Sequence, residues 1–391
     1  MDRPQLFVDT PGRLAECAAD VGRSARIALD TESNGFHAYF EKVCLLQIAT
    51  QDADWAVDTL ALRLDPLLPL LRDPAREVIL HAAEYDVLCM KRDYGLSFGH
   101  IFDTHAAAKT LGLPRFGLQD LLLDQLGVLL TVDEQRSDWG RRPLTPQQMT
   151  YAFADVQYLL PLRDKLGEQL VTTGHLPEAD AEFARLIAKE PRPREWDPEG
   201  WQKMKAARTL DGRGRAVLRE MYLLRDRRAR EVNRPAFKVM SDLFLSEVAR
   251  RVPQTEEELL KVPGMSAGSL KRLGGQVREA VKRGLAAEPI GRPPRQHHDA
   301  RKDAPPPEVQ ERYERLRAWR KVRAEARKVE VQVIAPNAVL WLIARENPPD
   351  LSALAQVEGM DAFRLDHYGE EMLDALRSEA HARAGGGNGG G

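Results

Sequence analysis

The stretch Arg26-Ile-Ala-Leu-Asp-Thr-Glu32 decides how the first half of this chain is interpreted. Its apolar centre predicts a short buried strand, with two carboxylates where the strand ends. Residues two apart on a strand point to one face, so Asp30 and Glu32 are expected to lie side by side. Paired carboxylates beside an apolar run are costly unless a cation neutralises them. The stretch predicts either a metal site or a solvated strand end, and alone it does not decide between them.

Further apolar runs at 42–50, 54–58 and 77–81 predict neighbouring strands. Helix-period patterns occupy 64–72, 83–94, 103–112, 117–127 and 146–170. Strands followed by interleaved helices predict an α/β domain, a mixed sheet flanked by helices.

The sequence pattern changes near residue 190. The proline-rich segment 191–198 predicts a hinge, and only helical patterns follow it. A second break ends in three consecutive prolines, which are typical of an extended linker. The predicted divisions are a first domain over 1–190, a helical domain over 191–286, a Pro-rich linker over 287–307, a second helical domain over 308–384 and a disordered Gly-rich tail over 385–391.

The two helical segments resemble each other as a divergent tandem repeat. Leu-Lys-Val-Pro-Gly-Met at 260–265 matches Ala-Gln-Val-Glu-Gly-Met at 355–360, an offset of 95 residues. The arginine-rich run at 225–230 matches 322–327 with an offset of 97, which predicts a slightly shorter loop in the second copy.

Composition narrows the class of protein. Only three cysteines occur among 391 residues, none in a CxxC spacing, which argues against a zinc ribbon or a disulfide framework. The first residues lack the apolar run of a signal peptide and no stretch approaches a membrane span, so a cytoplasmic location is expected. The net charge of −2 divides into −10 over 1–190, +9 over 191–300 and −1 over the rest. This asymmetry is either ordinary surface variation or a basic middle that binds a polyanion.

Two more acidic positions accompany the first pair. Asp86 lies at the start of a predicted helix. It is either part of an acidic site or an ordinary first-turn acid that interacts favourably with the helix dipole. Tyr151 and Asp155 share one face of a helix that Thr145-Pro146 starts, with Gln148 completing a capping box.

Four acidic side chains from three segments are a more specific signal than any one of them. Their hard oxygen ligands suit Mg²⁺ or Mn²⁺. Two such ions, roughly 3.5–4 Å apart, clamp the attacking water and the leaving oxygen of a phosphodiester. A tyrosine one turn from a ligand would orient that water or help deprotonate it.

These motifs resemble those of the DEDD superfamily of 3′→5′ exonucleases in its tyrosine branch. The segments 43–49, 102–104, 137–143 and 151–159 are similar to ribonuclease D, and the similarity covers roughly residues 6–180. The helical repeats resemble the HRDC module, through 234–240 and 262–265 in the first copy. The second copy lacks the first of these motifs, which puts its contact with nucleic acid in doubt.

The resemblance implies a ribonuclease H-like fold followed by two small all-α HRDC-like domains, and it implies roles for individual residues. Asp30, Glu32 and Asp155 would bind the ion that activates water, and Asp30 would also reach a second ion. Asp86 would complete the site and Tyr151 would position the nucleophile. The expected products are 5′-mononucleotides cut from a 3′-hydroxyl end.

Other residues are candidates for substrate contact. Phe36 and His37 follow the first motif and would hold the terminal nucleotide by stacking, or else form a plain loop. Arg136, Arg141 and Arg142 flank Asp138-Trp139 and would touch phosphates, or else be solvated loop charges. His81 is expected to be structural, because the position of the catalytic histidine in the other DEDD branch is Thr150 here. A basic face in the first repeat predicts a phosphate-tracking surface, formed by Lys203, Lys205, Arg208, Arg225, Arg227, Arg228 and Arg230.

The predicted function is therefore a two-metal 3′→5′ exoribonuclease that trims transfer-RNA precursors and other small structured RNAs. A DNA exonuclease in repair and a catalytically inactive nucleic-acid-binding adaptor are the alternatives. The expected partner is RNA with a free 3′ end, or single-stranded DNA, without membrane association. A monomer is favoured.

Overall fold

The computed structural model describes residues 3–131, 133–192, 195–292 and 305–377. The predicted tail at 385–391 and most of the predicted linker at 287–307 lie outside these ranges. Within them, no helix combines the length and the apolar character needed to cross a bilayer.

A six-stranded mixed sheet organises the first domain. Its strands are β1 (Gln5–Val8), β2 (Arg26–Ser33), β3 (Val43–Ala49), β4 (Asp54–Asp58), β5 (Glu77–Leu80) and β6 (Ile101–Asp103). They lie in the order β1-β4-β3-β2-β5-β6. The two central pairings, β2 with β3 and β3 with β4, are antiparallel, whereas the outer pairings are parallel. The mixed sheet flanked by helices is the predicted fold class.

Eight helices accompany the sheet in this part of the described chain. They are α1 (Pro11–Arg23), α2 (Leu68–Arg72), α3 (Glu84–Tyr94), α4 (Thr104–Thr110), α5 (Leu118–Leu126), α6 (Pro146–Gln157), α7 (Leu159–Thr172) and α8 (Leu176–Ala188). The predicted single helix over 146–170 is interrupted at Tyr158, whose backbone is not helical (φ −108°, ψ 1°). Sequence patterns also missed the strands β1 and β6 and the helices α1 and α8.

Helix α6 covers one face of the sheet and carries two of the predicted site residues. Its start follows the predicted chemistry: the Thr145 side chain accepts from the backbone of Gln148, and the Gln148 side chain accepts from the backbone of Thr145. Ala152 and Phe153 of α6 pack with Leu45 and Ala56 of the sheet in one buried cluster. This packing fixes the position of α6 above β2, β3 and β4.

Residues beyond 195 form two all-helical modules. The first module contains two 3₁₀ turns (Gly200–Lys203 and Lys205–Arg208), α9 (Gly212–Glu231), α10 (Ala236–Val239), α11 (Asp242–Arg251), α12 (Glu256–Leu260) and α13 (Ala267–Ala286). The second contains α14 (Pro307–Arg327), α15 (Val331–Ile334), α16 (Asn337–Glu346), α17 (Leu351–Leu354) and α18 (Ala362–Arg377). Each module has its own apolar core.

The repeat is confirmed, but the register predicted for its arginine-rich part is wrong. Arg225 donates to the carbonyl of Met240 and to Asp242, and Arg320 donates to the carbonyl of Ala335 and to Asn337. Every equivalent position is therefore 95 residues away, not 97. The expected shorter loop is absent from the described residues, because helices α10 and α15 keep the same offset. The offset of 97 came from matching two arginine-rich runs by their composition. The equivalent residues in the two modules are instead the buried arginines, Arg225 and Arg320.

Candidate active site

Three of the predicted carboxylates meet at the end of β2. Asp30 and Glu32 lie on the same face of this strand, opposite Gln47 and Leu45 of β3. Helix α6 brings Asp155 over that face. One carboxylate oxygen from each of the three acids lies within 4.8 Å of the other two. A single cation would therefore reach all three side chains.

Asp86 stands beside this trio, in the first turn of α3. Its side chain is 5% exposed and accepts a hydrogen bond of 2.5 Å from the hydroxyl of Thr31. After burial, which is the main cause, its charge also raises the pKa of Asp30, Glu32 and Asp155, so Asp86 lies close to these acids. The structure thus brings all four predicted acids together.

Ionisation of the four acids is unfavourable, because they are buried and repel one another. Burial, and then repulsion from Asp155 and Asp86, raise the pKa of Glu32 from 4.5 to about 9. Burial raises the pKa of Asp155 and of Asp86 to about 7, and that of Asp30 well above its ordinary value. A divalent cation would offset this repulsion directly. The donor set consists only of carboxylate oxygens, which fits the predicted Mg²⁺ or Mn²⁺.

Tyr151 lies one helical turn before Asp155 and hydrogen-bonds to its carboxylate. The tyrosine ring packs at a tilt against the fully buried Trp139, with 6.1 Å between ring centroids. Burial, and then the negative charges of the nearby acids, hold the pKa of Tyr151 well above its usual range. In this arrangement the hydroxyl donates to Asp155, which suits Tyr151 to orient groups at the site.

Arg142 is placed differently from the predicted phosphate contact. Its Nε and Nη2 donate to both carboxylate oxygens of Asp58, at 2.6 and 2.7 Å, and Nη2 also donates to the carbonyl of Cys44. Its Nη1 donates to the carbonyls of Trp139 and Arg141. All three guanidinium nitrogens are thus occupied by protein acceptors. This geometry favours an anchoring role for Arg142, which holds the Trp139 segment against the sheet.

The other candidate substrate residues lie on the loop that follows β2 and on the loop that precedes α6. Arg141 is exposed, and Phe36 is 59% exposed on the loop that follows β2. On the same loop, His37 contacts the carbonyl of Arg136 through Nε2 at 3.0 Å, and its Nδ1 lies 3.6 Å from a carboxylate oxygen of Asp138. These contacts join the loop after β2 to the loop before α6.

His81 has a structural environment, as expected. Its Nδ1 lies 3.0 Å from the hydroxyl of Thr104, and its ring meets that of His105 edge-on. Burial, and then the charge of His105, lower the pKa of His81 to about 3. A histidine that stays neutral here supports packing rather than proton transfer.

Several basic residues of the predicted phosphate-tracking face in the first module form ion pairs within the module. Arg225 is 8% exposed and paired with Asp242, so it does not belong to a surface. Arg228 pairs with Glu231, and Arg230 pairs with Asp226. Helix periodicity alone could not distinguish these internal pairs from a free basic stripe.

Sequence reasoning missed two residues with structural roles near the site. Thr31 lies between the two motif acids, and strand alternation points it away from them, yet its hydroxyl holds Asp86. Tyr39, on the loop after β2, donates its hydroxyl proton to Asp226 of the first module at 2.6 Å. No local pattern signals a contact between residues this far apart in the chain.

Comparison with known proteins identifies relatives of both the exonuclease domain and the helical modules. A family model described as 3′-5′ exonuclease matches residues 6–171, and the HRDC domain model matches residues 214–281 and 309–376. A ribonuclease D from Gluconacetobacter diazotrophicus is 31% identical over 94% of this chain and 92% of its own length. One from Pseudomonas paraeruginosa is 30% identical over 90% and 92%.

Solved structures agree in fold. Escherichia coli RNase D, described as an exoribonuclease involved in structured RNA processing, has a TM-score of 0.62 at 25% identity, covering 96% of this chain and 99% of that one. The catalytic core of RRP6 from Trypanosoma brucei has a TM-score of 0.66 at 27% identity, covering 73% and 80%. The matched exonuclease class uses divalent metal ions. With its exonuclease domain and two HRDC domains, the chain belongs to the ribonuclease D family of 3′→5′ exoribonucleases.

Proposed function

We propose that this chain is a two-metal-ion exoribonuclease that removes 5′-mononucleotides from the 3′ ends of transfer-RNA precursors and other small structured RNAs. The observation that carries the proposal is the convergence of Asp30, Glu32 and Asp155 within 4.8 Å, beside a tyrosine hydroxyl. This constellation matches the chemistry of phosphodiester hydrolysis, and membership of the ribonuclease D family supports RNA as the substrate.

The chain's own residues would bind and orient the reactants. Asp30, Glu32 and Asp155 would hold the first ion, and Asp30, with Asp86 completing the site, would reach the second. Bound divalent ions would neutralise charge on the phosphate and make a water molecule more acidic. The Tyr151 hydroxyl, held by Asp155, would orient that water for attack on the phosphorus atom. The leaving group is the 3′ oxygen of the preceding nucleotide.

Supporting residues keep these groups in place. The Thr31 hydroxyl restricts Asp86 to one orientation. Arg142 fastens the Trp139 segment to Asp58 and to β3, and Trp139 in turn packs against Tyr151. Phe36 and His37 lie on the loop directly after β2, and Arg141 lies on the loop before α6, next in sequence to the elements that carry the carboxylates. We propose substrate contact for these three residues and loop anchoring for Arg142.

The substrate class is tested by matched oligonucleotides. RNA and DNA of one sequence, each labelled at the 5′ end, are incubated with the protein and Mg²⁺, alongside a transfer-RNA precursor with a 3′ extension. We expect faster trimming of RNA than of DNA, and shortening of the precursor that stops near its folded stem. Preference for DNA would instead support the repair alternative. Absence of hydrolysis on every substrate would support the adaptor.

A further inference from the structure

The loop after β2 is held by the first helical module as well as by its own domain. The Asn233 side chain accepts hydrogen bonds from the backbone N–H groups of Tyr39 and Phe40, at 3.1 and 3.0 Å. The Tyr39 hydroxyl donates to Asp226 and accepts from Nε of Arg230 at 3.0 Å. The module therefore contacts the loop that begins two residues after the last acid of the first motif.

Lys238 of α10 extends this contact to a candidate substrate residue. Its ammonium lies 3.3 Å from Nδ1 of His37. Lysine only donates, so Nδ1 accepts, and Nε2–H then donates to the carbonyl of Arg136 at 3.0 Å. Lys238 thus places its positive charge against the His37 ring, on the loop that follows β2.

A line of contacts runs inward from Lys238 to the catalytic centre. His37 touches the Arg136–Asp138 segment, Trp139 follows directly, and Trp139 packs against Tyr151. The Lys238 ammonium therefore lies at one end of this series of contacts, and Tyr151 lies at the other end.

The charge of Lys238 is not neutralised locally. In residues 3–131, 133–192, 195–292 and 305–377, no carboxylate forms an ion pair with it, whereas Arg225, Arg228 and Arg230 of the same module are all paired. Asp138 shares its partner, since a carboxylate oxygen of Asp138 lies 3.6 Å from the same His37 Nδ1, but the two side chains do not form an ion pair with each other. A free ammonium beside a phosphodiesterase site fits a backbone phosphate of the substrate.

Exposed aromatic rings lie on both sides of the same junction. Phe36 and Phe237, the neighbours in sequence of His37 and Lys238, are 59% and 60% exposed. Large apolar side chains beside a cation are the usual composition of a single-strand binding surface, where bases stack and phosphates meet positive charge.

We propose that Lys238 belongs to the substrate site, where its ammonium contacts an RNA phosphate upstream of the 3′-terminal nucleotide. His37 is the residue that supports it there. In this arrangement the first module supplies a binding group to the exonuclease site and does not act only as a separate tether. The inference rests on the proposed function and adds a specificity-determining position to it.

The test compares two substrates on the full-length protein with Mg²⁺. One is a ten-nucleotide single-stranded RNA. The other is the p-nitrophenyl ester of a nucleoside 5′-phosphate, which has no upstream phosphate. Lys238→Ala removes the ammonium, Lys238→Gln removes the charge but retains a donor to His37, and Lys238→Arg retains the charge. Lys282→Ala, at an exposed lysine on α13 of the same module, is the matched control.

We expect Lys238→Ala and Lys238→Gln to lower the ratio of kcat/KM for the RNA to that for the ester about tenfold, mainly through KM. Lys238→Arg should restore most of that ratio, and Lys282→Ala should change it by less than twofold. The slope of log(kcat/KM) for RNA against log salt concentration should become shallower by about 0.7, the value for one lost phosphate contact on a single strand.

Two results would overturn the inference. Equal losses on both substrates would show that Lys238 only supports the structure of the site. A Lys238→Gln variant with wild-type ratio and salt slope would show that its charge has no part in binding. Neither result affects the proposed function, which the wild-type hydrolysis of both substrates tests separately.

Discussion

Replacing Glu32 by glutamine is expected to stabilise the metal-free protein and to abolish catalysis. The Glu32 side chain is buried at 7% exposure among like charges, and its pKa rises from 4.5 to about 9. A carboxyl group with a raised folded-state pKa opposes folding when the unfolded chain is ionised. This destabilisation is absent below pH 4.5, grows as the pH rises, and levels off above about pH 9.

The magnitude follows from the shift. Between pH 4.5 and pH 7 the native state retains a proton that the unfolded state has lost, at about 1.4 kcal/mol per pH unit. The Glu32→Gln variant should therefore be up to about 3 kcal/mol more stable than wild type at pH 7, and nearly equal to it at pH 4.5. For a domain of this size, that corresponds to a rise in Tm of roughly 6–12 °C.

Calorimetry in EDTA at pH 4.5, 6 and 7 measures the difference, with Glu168→Gln on the exposed face of α7 as the control. Adding Mg²⁺ should raise the Tm of wild type, because the ion binds only the folded site. The same addition should raise the Tm of Glu32→Gln much less. The electrostatic reasoning is refuted if Glu32→Gln fails to stabilise the metal-free protein at pH 7, or if its advantage is as large at pH 4.5.

Three other substitutions test the supporting residues. Tyr151→Phe should lower kcat by about 100-fold with little change in KM, because only the orienting hydroxyl is lost, and single-turnover kinetics would measure this. Arg142→Ala should lower the free energy of unfolding by about 3 kcal/mol in urea, because buried Asp58 loses its partner; a change below 1 kcal/mol would contradict the anchoring role. Thr31→Val should lower kcat by about tenfold by releasing Asp86, while Mg²⁺ still raises the Tm; loss of that rise would indicate a direct role in metal binding.

Local periodicity explains why much of the site could be predicted from sequence. The spacing of two along a strand placed Asp30 and Glu32 on one face, and the spacing of four along a helix did the same for Tyr151 and Asp155. The start of α6 followed from the capping chemistry of Thr145. Each of these inferences depends only on residues within a few positions of one another.

The remaining features depend on long-range packing. Arg142 reaches Asp58 across 84 residues, and Lys238 reaches His37 across 201. The residues next to Arg142 in the sequence do not show whether it is exposed or paired with a distant acid. Its pairing with Asp58 could therefore not be predicted, and a phosphate contact was predicted instead. Helix patterns likewise could not show that Arg225 is internal. Its equivalence to Arg320 emerges only from the shared acceptors in the two modules.

The central claim is metal-dependent removal of nucleotides from the 3′ end by the four-acid site. The most direct measurement follows 5′-labelled single-stranded RNA over time with Mg²⁺, with Mn²⁺ and with EDTA. It uses wild type, Asp155→Asn and the control Asp52→Asn, an exposed acid in the β3–β4 turn. We predict a ladder that shortens from the 3′ end for wild type and Asp52→Asn with either ion, and no shortening with EDTA or with Asp155→Asn. Trimming that persists in EDTA, or in Asp155→Asn at the wild-type rate, would contradict the account.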